Sequence, residues 1–305
     1  MKVAVVVPTI RYETQYQEFL KSWEMLFNKH QVDLITVIDG DKPIVRHTIY
    51  PFGTEVNRMD IPLVMGGEKY QNIILHGTAS VRNLGFAYIQ RYLPEVEVIL
   101  SLDDDLKPVN DTIQDHLDIL SRNVPVSWIS TLVDFYPRGF PYAVREEAEV
   151  VFSHGVWEGV LDLDAPTQLL YGSDYRAAFY RGPIPKYIHA PLSSMNIAFK
   201  RKAIPFIFHA PMNMETFGMD RFDDIWGLMD GKRELDSEGW ATVTGYSRVY
   251  HQRASDVFRN LTKEVRGLAL NERYWCDGVL EETEPYFVWY LEARELWKEW
   301  CKQNG

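Results

Sequence analysis

Cysteine, positive charge and long apolar segments are all scarce in this chain of 305 residues, and each scarcity excludes a class of protein. Only Cys276 and Cys301 are present, so a disulfide-stapled scaffold is excluded and a reducing, cytoplasmic location is expected. Lysine and arginine number 32 against 43 aspartates and glutamates, a formal charge of −11. That balance argues against a nucleic-acid or anionic-membrane partner, because both favour a basic surface.

The apolar run Val3–Val7 is the first candidate for a targeting or membrane segment, and it is too short for either. It follows a single Lys2 and ends at Pro8, whereas a helix that spans a bilayer needs about 20 apolar residues. We therefore expect no signal peptide and no membrane span. We interpret the run as a buried first strand.

Short apolar runs alternate with helical patterns over the first 130 residues, which is typical of an α/β domain. The alternation predicts a mostly parallel sheet with flanking helices and right-handed crossovers. Ligands of such sheets bind at the carboxyl ends of the strands, so the residues that follow each strand are the first candidates for function. The predicted strands are Val3–Val7, Leu34–Ile38, Ile61–Met65, Val96–Leu102, Ser127–Thr131, Met195–Phe199 and Ala241–Tyr250, and the predicted helices lie near Thr14–Phe27, Ser80–Tyr92 and Asp111–Ser121.

The later part of the chain divides into an irregular segment and a C-terminal helix. Residues 134–191 show no clear periodicity, and their aromatic residues argue against disorder. Apolar residues at helical spacing from Thr283 to Lys302 predict a helix with Thr283 as its N-cap, packed on the core or at an oligomer contact. We expect one α/β domain over residues 1–270 and a helical extension over residues 271–305.

Three adjacent carboxylates, Asp103-Asp104-Asp105, directly follow the predicted strand Val96–Leu102. Because they repel one another, bringing them together costs free energy unless a cation neutralises them. Carboxylate oxygens suit Mg²⁺ or Mn²⁺, and either ion can hold a substrate diphosphate. The alternative is a solvated acidic loop that caps the next helix, but the position at a strand end favours the metal site.

Two further groups suggest nucleotide binding. Asp39 follows a predicted strand, where an acidic side chain either accepts a hydrogen bond from a ribose or base or belongs to an Asp-Gly turn. Ser80 and Arg82 begin a helical pattern, and a helix N-terminus with a guanidinium attracts phosphate. A solvated arginine is the alternative for Arg82.

Two arginines, Arg138 and Arg145, lie among aromatic residues in the irregular segment. Guanidinium groups bind phosphates in bidentate fashion and stack on rings. Ordinary loop arginines in contact with solvent are an equal alternative.

Three carboxylates and one histidine complete the candidates. Asp164 lies in a polar stretch that could reach sugar hydroxyls, and Asp223 and Asp224 precede Trp226, a combination suited to a sugar acceptor or to base catalysis. Asp223 could instead cap a helix. His251 follows a predicted strand and becomes a metal-ligand candidate only if the fold returns it to the three aspartates.

These motifs, in this order, resemble the reversibly glycosylated polypeptide family, whose plant members are UDP-arabinopyranose mutases. The resemblance extends over about residues 3 to 270. It implies a type A glycosyltransferase-like (Rossmann-like) α/β fold, a UDP-sugar substrate and Mn²⁺ or Mg²⁺ as cofactor. The motifs that carry it are Val6-Val7-Pro8-Thr9-Ile10-Arg11, Asp39-Gly40-Asp41, Asp103-Asp104-Asp105, the segment with Arg138 and Arg145, Ser153–Trp157, Asp162–Leu169, Met212-Asn213-Met214, Phe222–Trp226 and Tyr250–Ser255.

The resemblance also implies roles for single residues. Asp103 and Asp105 become metal ligands, with His251 as a further ligand by analogy with the fold. Arg138 matches the arginine that the family glycosylates reversibly, and Arg145 matches a second arginine that the family requires. The nucleotide site predicted on this basis comprises Thr9, Arg11, Asp39, Arg82, Asn83 and Asp104.

A pyranose–furanose mutase must break the bond between the anomeric carbon and UDP and close the sugar ring through a different hydroxyl. If Arg138 held the sugar meanwhile, a carboxylate would have to take its proton, and Asp164, Asp223 and Asp224 are candidates. The alternatives are a glycosyltransferase with a separate acceptor and a self-glycosylated scaffold of polysaccharide synthesis. The expected partners are a UDP-sugar, UDP-arabinose first, and further copies of the chain.

Overall fold

The computed structural model describes residues 1–10, 15–39, 53–127, 136–173, 179–252, 255–277 and 284–305. The strands are β1 Val3–Thr9, β2 Asp33–Ile38, β3 Gly53–Asn57, β4 Val98–Leu102, β5 Leu106–Pro108, β6 Asn123–Pro125, β7 Glu147–Gly159, β8 Gly182–Ile184, β9 Asn196–Lys200 and β10 Ala241–His251. The helices are α1 Gln15–His30, α2 Ile61–Met65, α3 Val81–Tyr92, α4 Thr112–Leu120, α5 Ala165–Tyr171, α6 Met214–Phe217, α7 Asp223–Ser237, α8 Val257–Asp277 and α9 Pro285–Asn304.

These strands form one sheet in the order β3-β2-β1-β4-β9-β7-β10-β5, with β6 beside β7 and β8 beside β10. The first four strands in that order are parallel. Strand β9 is antiparallel to both β4 and β7, so β7 and its parallel neighbour β10 run in the same direction as β4. The predicted mostly parallel α/β sheet is confirmed.

The first strand shows how the sheet buries both of its faces. Alternate residues of a strand point to opposite faces, so Val5 and Val7 pack with α1 while Ala4 and Val6 pack with α3. All four side chains are fully buried, which explains why β1 reads as a continuous apolar run. The predicted strands at β1, β2, β4, β9 and β10 and the predicted helices at α1, α3 and α4 are confirmed to within a few residues.

The prediction of a strand at Ile61–Met65 is wrong, because these residues form the short helix α2. Pro62 stands in the first turn, where its missing N–H costs nothing and its fixed φ favours a helix. Gly66 ends the helix in the left-handed conformation, with φ of 79°. Of the predicted strand Ser127–Thr131, only Ser127 is described, and it lies outside any strand.

The prediction of an irregular segment over residues 134–191 is wrong at its centre, where β7 is a strand of 13 residues. Polar residues inside the strand hide its pattern. Ser153 bonds through its hydroxyl to His116 Nδ1 at 2.8 Å, and the Nδ1 of His154 bonds to the hydroxyl of Thr244 at 2.8 Å. Because these buried polar groups have partners, the strand tolerates residues that a hydrophobic pattern excludes.

The C-terminal helix α9 packs against the face of the sheet that carries α2 and α3. Trp297 and Trp300 are at most 1% exposed, and their indole N–H groups donate to Ile204 O at 3.2 Å and Met65 O at 2.8 Å. The helix begins at Pro285, and its predicted cap Thr283 lies outside the described residues. None of the helices in the described parts of the chain combines the length and apolar character that crossing a bilayer requires.

Candidate functional site

The carboxyl ends of β2, β1 and β4 meet beside a cavity of about 590 Å³. Adjacent parallel strands bring the residues after their last hydrogen bonds to one edge of the sheet, as the sequence predicted. Segments before β9 and around the start of α7 close the cavity. The predicted site residues that line it are Thr9, Asp39, Arg82, Asp103, Asp104, Asp105, Asp164, Asp223 and Asp224.

Two of these aspartates are buried and held by neighbouring donors. Asp104 is 5% exposed, and its Oδ2 accepts a hydrogen bond from Thr9 Oγ1 at 2.6 Å. Asp39 is 3% exposed, and its Oδ2 accepts from Gly77 N at 2.6 Å while its Oδ1 lies 2.7 Å from His76 Nδ1. These bonds fix the orientation of both carboxylates.

Arg82 is a buried cation at the start of α3. Its Nη2 forms an ion pair with Asp103 Oδ1, and its Nε donates to Ser101 Oγ at 3.2 Å. Burial lowers the pKa of Arg82, and the charges of Asp224 and the other carboxylates around it counteract that effect. The guanidinium is therefore placed among acids, where it can also contact a phosphate.

Asp105 and His251 bring an oxygen and a nitrogen ligand together from opposite parts of the chain. His251 Nδ1 donates to Val160 O at 2.8 Å, and its Nε2 lies 3.7 Å from Asp105 Oδ2. A backbone carbonyl on one ring nitrogen is the usual way in which a protein orients the other nitrogen toward a metal. Burial lowers the pKa of His251, but the hydrogen bond and charge of Asp105, together with Val160 O and the charge of Asp162, raise it by more, so the pKa lies above its ordinary value.

The chemistry of this donor set fits Mn²⁺ or Mg²⁺, although the described residues contain no ready-made group of three metal-ligating side chains. Magnesium and manganese sites in nucleotide-binding proteins commonly use one or two carboxylates and complete their coordination with phosphate and water. Two protein ligands beside a cavity large enough for a nucleotide are consistent with that arrangement.

The three candidates for a proton acceptor lie in different environments. Asp164 is exposed and caps α5, since its Oδ1 accepts from Thr167 N at 2.9 Å and its Oδ2 from Thr167 Oγ1 at 2.7 Å. Asp224 Oδ2 accepts from Ser194 N at 2.9 Å and from Ser194 Oγ at 3.2 Å. Both carboxylates therefore hold a neighbouring segment in place.

Asp223 differs, because it is 5% exposed, and its Oδ2 accepts a hydrogen bond from Ala79 N at 2.8 Å. Burial, followed by the charges of Asp224 and Asp220, raises the pKa of Asp223 to about 8. A carboxyl group with such a pKa exchanges protons near neutral pH, as acid–base catalysts do.

The predicted arginines lie near the amino ends of the parallel strands, at the opposite end of the strands from the cavity. His154 of β7 pairs with Ile197, which pairs with Ser101 of β4, so these residues are level across the sheet. Strand β7 begins seven residues earlier, at Glu147, which is roughly 23 Å along the strand from that level. Arg145 stands just before this start, far from the carboxyl ends of the strands.

Arg145 organises the turn that carries Arg138. Its guanidinium lies 3.6 Å from the ring centroid of Tyr142 and 4.8 Å from that of Tyr136, and its Nη2 donates to Phe140 O at 3.1 Å. Arg138 is exposed in the adjoining turn. Neither arginine lines the cavity, and their predicted roles remain predictions.

Two predicted nucleotide-binding residues stand apart from the rest. Asn83 is fully buried, and its side chain exchanges hydrogen bonds with the backbone of His209, at 2.8 and 3.0 Å. In this position it connects α3 to the chain before α6. Arg11 lies outside the described residues.

A connected group of cavity residues was missed by the sequence predictions. Arg221 has a left-handed backbone, with φ of 76°, and its Nε donates to the buried Glu264 at 2.6 Å. Its Nη2 lies 3.5 Å from Asp162, and Glu264 also accepts from Ala165 N at 2.6 Å. Arg221 and Asp162 adjoin or belong to motifs quoted above, whereas Glu264 and the aromatic Trp275 carry no local signal.

The model of one protein family matches residues 1–276, and its description is "Reversibly glycosylated polypeptide". UDP-arabinopyranose mutase 3 of Arabidopsis thaliana is 30% identical over 295 residues, which cover 93% of this chain and 76% of the relative. Probable UDP-arabinopyranose mutase 4 of the same plant is 30% identical over 316 residues, covering 97% and 83%. The relatives are named as enzymes, so the prediction of an enzyme is confirmed at that level.

Among solved structures, the chain is similar to glucosyl-3-phosphoglycerate synthase from Mycobacterium tuberculosis, crystallised with Mn²⁺, UDP-glucose and phosphoglyceric acid. The TM-score is 0.50 at 14% identity, and the match covers 89% of this chain and 79% of the synthase. At this identity the similarity concerns the fold alone, and it confirms the prediction of a type A glycosyltransferase-like fold.

Proposed function

Because the chain belongs to the reversibly glycosylated polypeptide family, we propose that it interconverts the pyranose and furanose forms of a UDP-sugar, with UDP-arabinose as the first candidate. We propose that the reaction depends on Mn²⁺ or Mg²⁺. The observation that carries this proposal is the approach of His251 Nε2 to 3.7 Å from Asp105 Oδ2, next to the cavity that Asp103 and Asp105 line.

The proposed roles follow from how each side chain is held. Asp103, Asp105 and His251 hold the cation, which when bound stabilises negative charge on the diphosphate leaving group. Asp104, fixed by Thr9, and the buried Asp39 bind the nucleotide, while Arg82 contacts phosphate beside Asp103. These groups hold UDP in place while its bond to the sugar breaks and re-forms.

Asp223 is the proposed proton carrier. It lines the cavity, its carboxyl is the least solvated of the three candidates, and its pKa of about 8 lets it take and return a hydroxyl proton near neutral pH. Both carboxylate oxygens of Asp164 accept hydrogen bonds from a neighbouring segment, and so does Oδ2 of Asp224.

The test is incubation of purified protein with UDP-arabinopyranose and Mn²⁺, followed by chromatographic separation of the nucleotide sugars. We expect a UDP-arabinofuranose product that disappears with EDTA and returns when Mn²⁺ is restored in excess. Turnover that survives EDTA would contradict the metal requirement. Release of UDP with sugar transfer to an added acceptor, without furanose nucleotide, would replace the mutase with the transferase alternative.

Self-glycosylation on Arg138 is a finer proposal, and the position of this residue gives it a specific form. Since Arg138 lies in the turn held by Arg145, at the opposite edge of the sheet from the cavity, we propose that it receives sugar from the cavity of a second copy. A homo-oligomer would bring the two together.

A mixing experiment tests transfer between copies. A chain with Asp103→Asn and Asp105→Asn supplies an intact Arg138, and an active chain with Arg138→Ala, distinguished by mass, supplies the cavity. We expect intact-mass spectrometry to show a sugar adduct on the former only when both chains are mixed. An adduct that forms in a separate wild-type sample, but on neither chain of the mixture, would indicate transfer within one copy. An adduct that persists on the Arg138→Ala chain would exclude Arg138 as the glycosylated residue.

A further inference from the structure

Helix α8 forms one wall of the cavity with side chains that repeat at helical spacing. Glu264, Asn271 and Trp275 all line the cavity, and their spacing of seven and four residues places them on one face of the helix. From Glu264 to Trp275 this face is roughly 16 Å long. It therefore extends along a ligand of the size of a nucleotide sugar.

The side of the cavity to which α8 belongs follows from the bonds of Glu264. This carboxylate holds Arg221, whose Nη2 lies 3.5 Å from Asp162 in the segment after β7. Across the sheet, β7 lies beyond β4 and β9, whereas Asp39 follows β2 on the other side of β4. Helix α8 is therefore tied to the side away from the proposed nucleotide-binding Asp39.

Asn271 has a defined amide orientation. Its Oδ1 accepts a hydrogen bond from Trp226 Nε1 at 2.9 Å, and because an indole N–H only donates, the oxygen must be on that side. The two N–H bonds of the amide are then the groups that Asn271 can offer to a ligand in the cavity. Sugar hydroxyls accept such bonds.

Trp275 lies one turn beyond Asn271 and is 37% exposed, a large fraction for a tryptophan. Its described ring neighbour is His189, with centroids 5.3 Å apart and planes inclined at 55°. An indole that lines a polar cavity, held by a second ring, offers a flat apolar surface beside hydrogen-bond donors. The C–H face and the hydroxyls of a sugar ring need this pair of surfaces.

We propose that Trp275 and Asn271 form the sugar-recognition wall of the cavity, with Trp275 against the apolar face of the sugar and Asn271 donating to its hydroxyls. The proposal rests on the proposed UDP-sugar substrate and names the residues that select the sugar. The carboxylates at the carboxyl ends of the strands then provide the affinity for UDP, and α8 provides the additional affinity for the sugar.

Calorimetric titration with UDP and with UDP-arabinopyranose, both with Mn²⁺, separates these contributions without requiring turnover. For Trp275→Ala we expect affinity for UDP-arabinopyranose to fall about tenfold and affinity for UDP to change less than twofold. Trp275→Phe keeps a ring and should retain affinity for UDP-arabinopyranose within about threefold. Equal losses for UDP and UDP-arabinopyranose would overturn the proposal, because the indole would then stack on uracil, and no loss for either would also overturn it.

Asn271→Asp provides a second measurement if Trp275→Ala does not fold. It keeps an oxygen for Trp226 and removes the N–H donors, so we expect a loss confined to UDP-arabinopyranose; an equal loss for UDP would contradict the assignment. The matched control is Trp289→Ala, since Trp289 packs on Phe217 with ring centroids 4.9 Å apart and does not line the cavity. If the affinities follow this pattern but no furanose product forms, the mutase function is refuted while the sugar-recognition wall is supported.

Discussion

Charged side chains are held in different ways at the two ends of the parallel strands, the carboxyl ends (the carboxyl edge of the sheet) and the amino ends (the amino edge). At the carboxyl edge, Asp104 and Asp223 are each 5% exposed and accept hydrogen bonds from a hydroxyl and a backbone N–H. At the amino edge, Arg145 lies half-buried against the rings of Tyr136 and Tyr142 and closes a turn on the surface. A buried carboxylate is costly to keep, so it indicates binding or catalysis, whereas a stacked arginine stabilises a loop.

The largest expected effect concerns the carboxylates after β4. Replacing Asp103 and Asp105 together by asparagine removes the proposed metal ligands, and we expect kcat to fall by about 100-fold or more. Measured turnover of UDP-arabinopyranose checks this, with circular dichroism to verify folding. Activity within tenfold of the wild type would show that the carboxyl edge is not the centre of the reaction.

Asp223 makes the carboxyl edge a source of instability at higher pH. Its pKa is raised from 3.8 to about 8, so the folded chain keeps a proton that the unfolded chain releases. Stability from this group is therefore complete below about pH 4 and is lost progressively as the pH rises to about 8, by a few kcal/mol.

The Asp223→Asn variant tests that sign. Asparagine still accepts from Ala79 N but carries no charge, so the variant should be more stable than wild type at pH 8, and this difference should be much smaller at pH 5. Urea unfolding at both values gives the comparison, and Asp164→Asn, at an exposed carboxylate, is the control. A variant less stable than wild type at pH 8 would contradict the interpretation.

The Arg145→Ala substitution addresses the amino edge. Loss of the stacking on Tyr142 and of the bond to Phe140 O should lower the free energy of unfolding by about 1–2 kcal/mol. Because Arg145 is remote from the cavity, UDP affinity should change less than threefold. A tenfold loss of UDP affinity at unchanged stability would break the distinction between the edges and restore a direct role for this arginine.

The smallest expected effect is that of Asp164→Ala. The side chain caps α5 through two bonds to Thr167, so its loss should cost about 1 kcal/mol of stability. Since Asp223 is the proposed proton carrier, kcat should remain within about threefold of the wild type. Asp164→Ser, which can still cap, should restore the stability, and a kcat that collapses in both variants would make Asp164 the better candidate.

Strands and site residues were predicted best from the sequence where a strand with two buried faces directly precedes a candidate site residue. The apolar runs before Asp39 and Asp103 identify both strands, and the parallel arrangement then places the two aspartates at one edge. Strand β7 escaped prediction because His154 and Ser153 interrupt its apolar pattern while finding partners that only the folded chain supplies.

Long-range partners explain what was missed at the site. Nothing local marks Glu264, whose importance comes from Arg221 and Ala165, residues distant in the sequence. The arginines failed to join the cavity for a related reason, since their sequence neighbourhood suggested phosphate binding but they precede a strand rather than follow one. The roles that the family resemblance implies for the two arginines remain predictions.

The bond from Trp300 to Met65 O joins residues 235 positions apart, and it has a consequence for the order in which the chain folds. During synthesis β10 completes the sheet shortly before α9 is made, whereas Met65 and the N-terminal helices are made much earlier, so the surface that α9 covers stays open until α9 emerges. Contacts of such long sequence separation form late and slow the folding rate. We expect refolding to pass through an intermediate with an exposed apolar face. The nascent chain exposes the same face, and a chaperone would be needed most at that stage.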